Sequence, residues 1–241
     1  MTKRISFLSA HPDDLEFFCG MFVRLAVKNG HDVEIVSMTR GEYGTMNRNL
    51  KGEKIARIRS QELRDAAHTH GVPSERVKFL GLIDGHVTIR AAMKALRKYL
   101  QERIPDILFV PEYIFSVYTH SDHLNTGIAS LSLLKLESGS PRPLLLTYHS
   151  YKNTHYLQCD LRSTGKALGI HKSQVQVIGL LYPLRWIFNL LNGFFCCRRF
   201  IFMEACRRVY FDRKIQVSLL DHLFHALYSL GRLVFRAWSE D

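Results

Sequence analysis

The feature that most constrains the fold is a regular alternation of short apolar runs and amphipathic segments over the first 150 residues. Five apolar runs have the length of strands, at residues 5–9, 33–38, 77–80, 107–110 and 144–148. Four segments between them carry apolar residues at helical spacing, at residues 16–29, 55–70, 88–103 and 123–135. This alternation predicts an α/β fold with a Rossmann-like, mostly parallel sheet and helices on both faces. In such sheets, ligands bind beyond the carboxyl ends of the strands.

The last third of the chain breaks this alternation. Residues 177–203 and 217–238 are dense in large apolar side chains, and the first of these stretches contains Pro183 and Arg185 near its middle. We therefore predict two units. Residues 1–176 form the α/β domain, and residues 177–241 form a C-terminal, apolar and basic helical extension.

The positive charge is concentrated in the C-terminal part of the chain, residues 151–241, which includes that extension. The formal net charge is +11, with 20 basic and 16 acidic residues in 1–150 but 13 and 6 in 151–241. Cations beside apolar runs favour peripheral contact with an anionic membrane surface. A buried helical hairpin or a homo-oligomer interface is the alternative. No nucleic-acid motif accompanies the charge, so we expect no specific nucleic-acid partner.

The cysteines and the N-terminus indicate the compartment. The five cysteines are an odd number and form no C-x-x-C pair, which argues against a disulfide scaffold or a zinc ribbon. The first apolar run is too short for a signal peptide. We predict a cytoplasmic protein, peripheral on the cytoplasmic face of a membrane if the extension binds lipid.

Two short motifs point to a metal site at the sheet edge. Ala10-His11-Pro12-Asp13-Asp14 follows the first predicted strand, and His120-Ser121-Asp122-His123 follows the fourth. Taken alone, the first motif also fits a turn that caps a helix. Two histidines and a carboxylate at one edge leave zinc an open position for water or substrate, which is typical of catalytic sites.

These motifs resemble the signature of the LmbE-like (PIG-L) zinc-dependent N-deacetylases. Further matches follow in the family's order, over roughly residues 4–176, at 39–42, 59–63, 84–85, 166–168 and 171–174. The resemblance implies a hydrolase that removes the N-acetyl group from an N-acetylglucosamine-type sugar, free or on a lipid carrier, and releases acetate and an amine. It also implies Zn²⁺ as cofactor, although such a site accepts other divalent ions.

The resemblance implies a role for each motif residue. His11, Asp14 and His123 would bind zinc, and Asp13 would be the general base that takes a proton from the attacking water. His120, as an imidazolium, would share the oxyanion. Asp122 would hold His120 in place and raise its pKa.

Four further residues are predicted to bind substrate. Arg59 lies on a predicted helix, where the alternative is an exposed ion pair with Glu62. Arg40 and Glu42 lie on the loop after the second strand, and Asp84 lies in an Asp-Gly sequence that is also typical of turns.

Two other functions stay open at this point. One is a metal-dependent amidase that acts on a non-sugar substrate, and the other is a non-catalytic sugar-binding module of the same fold. A dinucleotide-binding protein is disfavoured because the first strand is followed by His-Pro-Asp-Asp and not by a Gly-x-Gly-x-x-Gly loop.

Overall fold

A computed structural model describes residues 1–118, 120–137, 142–213, 215–219 and 221–222. Seven strands form one sheet in the order β3-β2-β1-β4-β5-β7-β6. The strands are β1 (Arg4–Ser9), β2 (Asp32–Thr39), β3 (Val77–Leu82), β4 (Ile107–Pro111), β5 (Leu144–Tyr148), β6 (His155–Gln158) and β7 (Met203–Arg208). β1 to β5 run parallel, and β7 pairs antiparallel with both β5 and β6. The predicted mostly parallel α/β sheet is therefore confirmed.

Helices cover both faces of the sheet. They are α1 (Asp14–Phe18), α2 (Gly20–Lys28), α3 (Glu53–His70), α4 (Ile89–Glu102), α5 (Ser121–Leu136), α6 (Leu161–Leu168) and α7 (Val175–Cys197). Alternate residues of β1 point to opposite faces, as in any strand. Phe7 packs in the core under α1 to α3, while Leu8 packs in the core under α4 and α5. Because β1 is buried on both sides, the apolar residues Phe7 and Leu8 follow each other without alternation.

The parallel strands bring their following loops to one edge. Ser9 of β1 pairs with Ser37 of β2, and Phe7 pairs with Phe109 of β4. Beyond β1, the carbonyl oxygen of Ala10 accepts hydrogen bonds from the backbone N–H and the hydroxyl of Thr39. The segments after β1, β2 and β4 therefore start side by side.

The predicted helix over 16–29 is wrong in one respect, because the structure has two helices separated at Cys19. Gly20 starts α2 and packs closely on the ring of His70, where a Cβ would lie 3.4 Å from Cε1. The carboxylate of Glu204 accepts a hydrogen bond from the backbone N–H of Met21 at 2.7 Å. This contact satisfies a free donor at the start of α2. Both contacts come from residues distant in the sequence.

The expected helical extension over 177–241 also contains a strand. β7 returns to the sheet between β5 and β6, and Arg207 on it makes two hydrogen bonds to the buried carboxylate of Glu112, at 2.6 and 2.8 Å. α7 runs uninterrupted through Pro183. No helix in the described part of the chain is both long and apolar enough to cross a bilayer. Most of the second apolar stretch, 217–238, lies outside the described residues.

Glu204 on β7 gives a testable dependence of stability on pH. Burial raises the pKa of Glu204 to about 7, from an ordinary value of 4.5, and Arg185 offsets this only in part. The folded state then holds a proton that the unfolded state has lost, so stability falls as the pH rises between these two values. We expect the unfolding free energy of the wild type to fall by about 2 to 3 kcal/mol relative to Glu204→Gln across this window.

Urea unfolding of both proteins on either side of the window measures this change. Glu102→Gln, at an exposed position at the end of α4, is the control and should show a constant difference from the wild type. A constant difference for Glu204→Gln as well would contradict a raised pKa at Glu204.

Candidate active site

Three predicted metal ligands converge at the carboxyl ends of β1 and β4. Nδ1 of His11 lies 3.0 Å from Nε2 of His123, which lies 3.2 Å from Oδ1 of Asp14. The same oxygen of Asp14 lies 3.8 Å from Nδ1 of His11, and all three residues are buried. Tetrahedral zinc with ligands at about 2.0–2.1 Å holds neighbouring ligand atoms about 3.4 Å apart. The triangle therefore fits a zinc ion in both size and donor type.

The surroundings of His11 favour a positive charge. Its Nε2 atom lies 3.0 Å from Asp84 Oδ1 and 3.3 Å from Asp122 Oδ2. Burial opposes protonation of His11, but Asp84 first, and then Asp122 and Asp14, raise its pKa well above the ordinary value. A divalent cation bound at Nδ1 would be stabilised by the same three carboxylates, those of Asp14, Asp84 and Asp122. A carboxylate on the second nitrogen of a ligating histidine is also usual in zinc sites.

The two oxygens of Asp14 have different partners. Oδ2 accepts hydrogen bonds from the backbone N–H groups of Ala10 and His11, at 2.9 and 2.8 Å, so Oδ1 faces the two histidine rings. Burial opposes ionisation of Asp14, but His123 and His11 lower its pKa well below the usual range. Asp14 is thus a fixed carboxylate with one oxygen directed at His11 and His123.

Asp13, the neighbour of Asp14, has a different partner, Arg59. The guanidinium Nη2 of buried Arg59 donates to Asp13 Oδ1 at 2.7 Å. The turn at 41–44 wraps the guanidinium closely, since a Cβ on Gly44 would lie 1.7 Å from Nη1. Arg59 is therefore not the exposed ion-pair partner of Glu62 that the helix spacing also allowed. It fixes the neighbour of a predicted metal ligand.

Because Gly44 packs so closely against the Arg59 guanidinium, even the added methyl group of an alanine should reduce stability and activity. Gly44→Ala should displace the Arg59 guanidinium, lower the unfolding free energy by about 1–3 kcal/mol and reduce activity about tenfold. If the collision with Arg59 is the cause, Gly44→Ala should add little in an Arg59→Ala background. Thermal unfolding and activity of the two single variants and the double variant measure this coupling. Equal effects of Gly44→Ala in both backgrounds would contradict the assignment.

His120 stands beside the triangle, where burial and two neighbouring rings oppose the predicted imidazolium state. Burial, and then the nearby His11 and His123, lower the pKa of His120 to about 4. Its Nδ1 accepts a hydrogen bond from the backbone N–H of Asp122 at 3.3 Å. With Nδ1 as acceptor, the neutral ring carries its proton on Nε2. One ring nitrogen of each of His11, His120 and His123 lies within 4.8 Å of the others, so His120 is close to the predicted metal ligands.

The hydrogen bonds of the Asp122 carboxylate also differ from the predicted pairing with His120. Asp122 Oδ2 faces His11 and accepts a hydrogen bond from the backbone N–H of Gly85 at 2.7 Å, while Oδ1 accepts from Val87 at 3.3 Å. His120 caps α5, whereas Asp122 lies in the first turn of that helix and reaches the loop after β3. The loop fixes the carboxylate in a direction that the four-residue motif could not reveal.

The other predicted substrate-binding residues belong mainly to the wall of the site. Asp84 is buried against His11 and accepts a hydrogen bond from the backbone N–H of Tyr43 at 3.1 Å. Arg40 pairs with Glu53 through two hydrogen bonds and lies 3.5 Å from Glu42. Glu42 in turn accepts from the backbone N–H of Asp84 at 3.2 Å. Substrate contact by Arg40, Glu42 or Asp84 stays a prediction.

Two aromatic residues of the site were missed from the sequence. The ring centroid of Tyr118 lies 4.6 Å from that of His123, and burial raises the pKa of Tyr118. His149 lies 5.6 Å from His123 between ring centroids and is hydrogen-bonded to Ser116. Burial, and then His123, lower the pKa of His149 to about 3. The sequence did offer one indication of His149, because it directly follows β5 and so lies at the edge of the sheet where ligands bind.

The segment at 171–174 packs against α1, α3 and the turn at 41–44, next to the site. Buried His171 lies 3.3 Å from Glu16 on α1, and the backbone N–H and hydroxyl of Ser173 both donate to Glu62. The side chain of Gln174 donates to the carbonyl oxygen of Gly44, in the turn that wraps Arg59. The later motif therefore supports the Arg59 turn.

A known family model matches more than half of this chain. The model PIG-L, GlcNAc-PI de-N-acetylase, matches residues 6–134. These residues include the segments after β1, β2, β3 and β4 and hence all the predicted site residues.

Individual relatives are similar over different shares of the chain. A diacetylchitobiose deacetylase of Thermococcus kodakarensis is 24% identical over 129 residues, which are 54% of this chain and 48% of the relative, so the match spans about half of that protein. A probable N-acetyl-alpha-D-glucosaminyl L-malate deacetylase 2 of Bacillus cereus is 26% identical over 196 residues, which are 74% of this chain and 86% of the relative. The solved N,N'-diacetylchitobiose deacetylase of Pyrococcus horikoshii superposes with a TM-score of 0.77 at 23% identity, covering 86% of this chain and 84% of the other.

Proposed function

The chain belongs to the PIG-L family, whose description is GlcNAc-PI de-N-acetylase, and we propose that it is a zinc-dependent N-deacetylase. It hydrolyses the acetamide of an N-acetylglucosamine-type sugar, free or carried on a lipid, to acetate and a free amine. Relatives with diacetylchitobiose deacetylase and N-acetyl-glucosaminyl malate deacetylase names support an amino-sugar substrate.

The observation that carries the proposal is that the adjacent carboxylates of Asp13 and Asp14 have different partners. Asp14 directs one oxygen at His11 and His123, while Asp13 is turned to Arg59. His11, Asp14 and His123 would hold the zinc ion. When bound, zinc lowers the pKa of water and polarises a carbonyl oxygen.

Asp13 is the base in this proposal. Arg59 holds Oδ1, so Oδ2 is the oxygen that takes a proton from the attacking water. When the amide C–N bond breaks, the same carboxyl group returns this proton to the departing nitrogen. Water thus supplies the hydroxyl of acetate and the hydrogen of the amine.

His120 acts in this scheme as a neutral hydrogen-bond donor. Its Nδ1 accepts from the backbone N–H of Asp122, which leaves Nε2–H to stabilise the negative charge that develops on the acetyl oxygen. A neutral donor keeps this role over a wide pH range, because a pKa of about 4 keeps the ring uncharged above that value.

Acetate release from a panel of acetylated amines tests the proposal. The panel contains N-acetylglucosamine, diacetylchitobiose, N-acetylglucosaminyl malate, N-acetylglucosaminyl phosphatidylinositol and a non-sugar acetamide. We expect release from a sugar substrate that a chelator abolishes and zinc restores. Release from the non-sugar amide alone would favour the amidase, and tight sugar binding by the zinc-loaded protein without release would favour a binding module. Restoration by another divalent ion, but not by zinc, would overturn the choice of metal.

A further inference from the structure

The polar and apolar sides of α7 are reversed relative to a helix on a typical soluble domain. Arg185, Asn189 and Asn192 are buried. Arg185 Nε donates to the carbonyl oxygen of Phe17 at 3.0 Å, and Asn192 Nδ2 donates to that of Met203 at 3.1 Å. The polar residues that interrupt the apolar sequence therefore attach the helix to the domain.

The opposite side of α7 is an exposed apolar stripe. It consists of Leu184, Ile187, Leu191 and Phe195, which are 41% to 62% exposed. Their spacing of three or four residues places them in one line along the helix. These four exposed side chains are aligned along the helix, unlike apolar side chains that are scattered singly over a surface.

All the charged residues of the segment that contains the stripe are basic. No acidic residue occurs between Asp160 and Glu204, a segment that includes all of α7. Lys172 is exposed just before the helix, and Arg198 and Arg199 are exposed just after it. An apolar stripe with cations at both ends complements an anionic bilayer surface, where apolar side chains enter the headgroup region and cations meet lipid phosphates.

We propose that α7 is a monotopic docking surface for an anionic phospholipid bilayer. The helix lies parallel to the membrane plane, with the stripe inserted at the headgroup level and the buried polar side facing the domain. The stripe from Leu184 to Phe195 gives a contact about 17 Å long. A transmembrane orientation is excluded for this helix because one side is hydrogen-bonded to the domain.

The docking surface is connected to the candidate active site. α7 begins immediately after Gln174, whose side chain donates to the carbonyl oxygen of Gly44 in the Arg59 turn. The membrane-facing helix therefore starts at the wall of the site. This inference is independent of the proposed reaction, because lipid binding can be measured without turnover.

Vesicle co-sedimentation of the full chain tests the proposal, with a reducing agent present because Cys196 and Cys197 are exposed. We expect binding to vesicles of phosphatidylcholine with phosphatidylserine, and much weaker binding to phosphatidylcholine alone. Ile187→Gln with Leu191→Gln should weaken binding at least about tenfold. Arg198→Gln with Arg199→Gln should weaken it about thirtyfold at low salt, since each cation near the surface contributes about fivefold.

A matched control separates docking from general loss of apolar surface. Ile89→Gln with Leu136→Gln removes the same two residue types from exposed positions on the opposite helical layer and should bind like the wild type. Equal weakening by both pairs, or no sedimentation with anionic vesicles, would overturn the proposal. The proposal would also be overturned if the protein formed a stable dimer that did not bind vesicles and that dissociated in the Ile187→Gln, Leu191→Gln variant. The stripe would then be a contact between two copies of the chain. Unchanged thermal unfolding of the variants shows that their fold is intact.

Discussion

Replacing Asp13 with asparagine is expected to lower kcat about a thousandfold while the protein keeps its zinc. Removal of a general base costs about this factor, because asparagine has no carboxylate to take the proton of water. The asparagine carbonyl can still accept the hydrogen bond from Arg59, so the wall of the site should stay in place. Acetate release measures kcat, and elemental analysis of the desalted protein measures zinc.

The Asp13→Asn result has two clear contrary outcomes. Loss of zinc would make Asp13 a metal ligand and reverse the roles of the two carboxylates. Near-normal kcat with full zinc would mean that another group takes the proton. Arg59→Lys is a useful companion, since it keeps a cation beside Asp13 but removes the planar fork that fits a carboxylate.

Replacing Asp14 with asparagine is expected to have the opposite signature, with zinc affinity reduced more than about a hundredfold and activity lost with the metal. The backbone N–H groups of Ala10 and His11 both donate to one carboxylate oxygen of Asp14. In the variant, the amide oxygen satisfies these donors, so the amide NH₂ group points at His123. An amide NH₂ group has no lone pair with which to bind zinc.

Competition with a chromophoric chelator measures the zinc affinity of the Asp14→Asn variant. Asp13→Asn is its matched control, because the same chemical change is made one residue away. Zinc affinity equal to that of the wild type would remove Asp14 from the metal site. Partial recovery of activity at high zinc concentration is expected, since His11 and His123 remain.

Most of the fold could be predicted from local sequence patterns. The five parallel strands and the helices between them follow from apolar runs and helical spacing, because each pattern reflects burial of the segment's own residues. β6 and β7 were not predicted because their sequences contain polar or charged residues in place of an apolar run, and their burial depends on distant partners. Arg207 is in a strand because Glu112 pairs with it, and that pairing is set by the antiparallel return of the chain.

The same distinction applies to the candidate site. The positions of His11 and His123 at one sheet edge could be predicted, because the carboxyl ends of parallel strands meet there. The partner of Asp122 could not, since its direction depends on backbone N–H groups of Gly85 and Val87 in another loop. The charge state of His120 likewise depends on burial and on neighbouring rings.

The sequence by itself determined the α/β architecture, the family resemblance and the set of chemical groups at the sheet edge, because these depend on local periodicity and on the order of short motifs. Only the tertiary structure decided which oxygen, nitrogen or helix face points where. Asp13 and Asp14 are chemically identical neighbours, but Arg59 holds one carboxylate and two backbone N–H groups hold the other, so the two point in different directions. The polar residues of α7 break its apolar pattern in the sequence, yet their burial against the domain is what leaves an apolar stripe exposed. Direction is a property of packing, and packing joins residues that lie far apart in the chain.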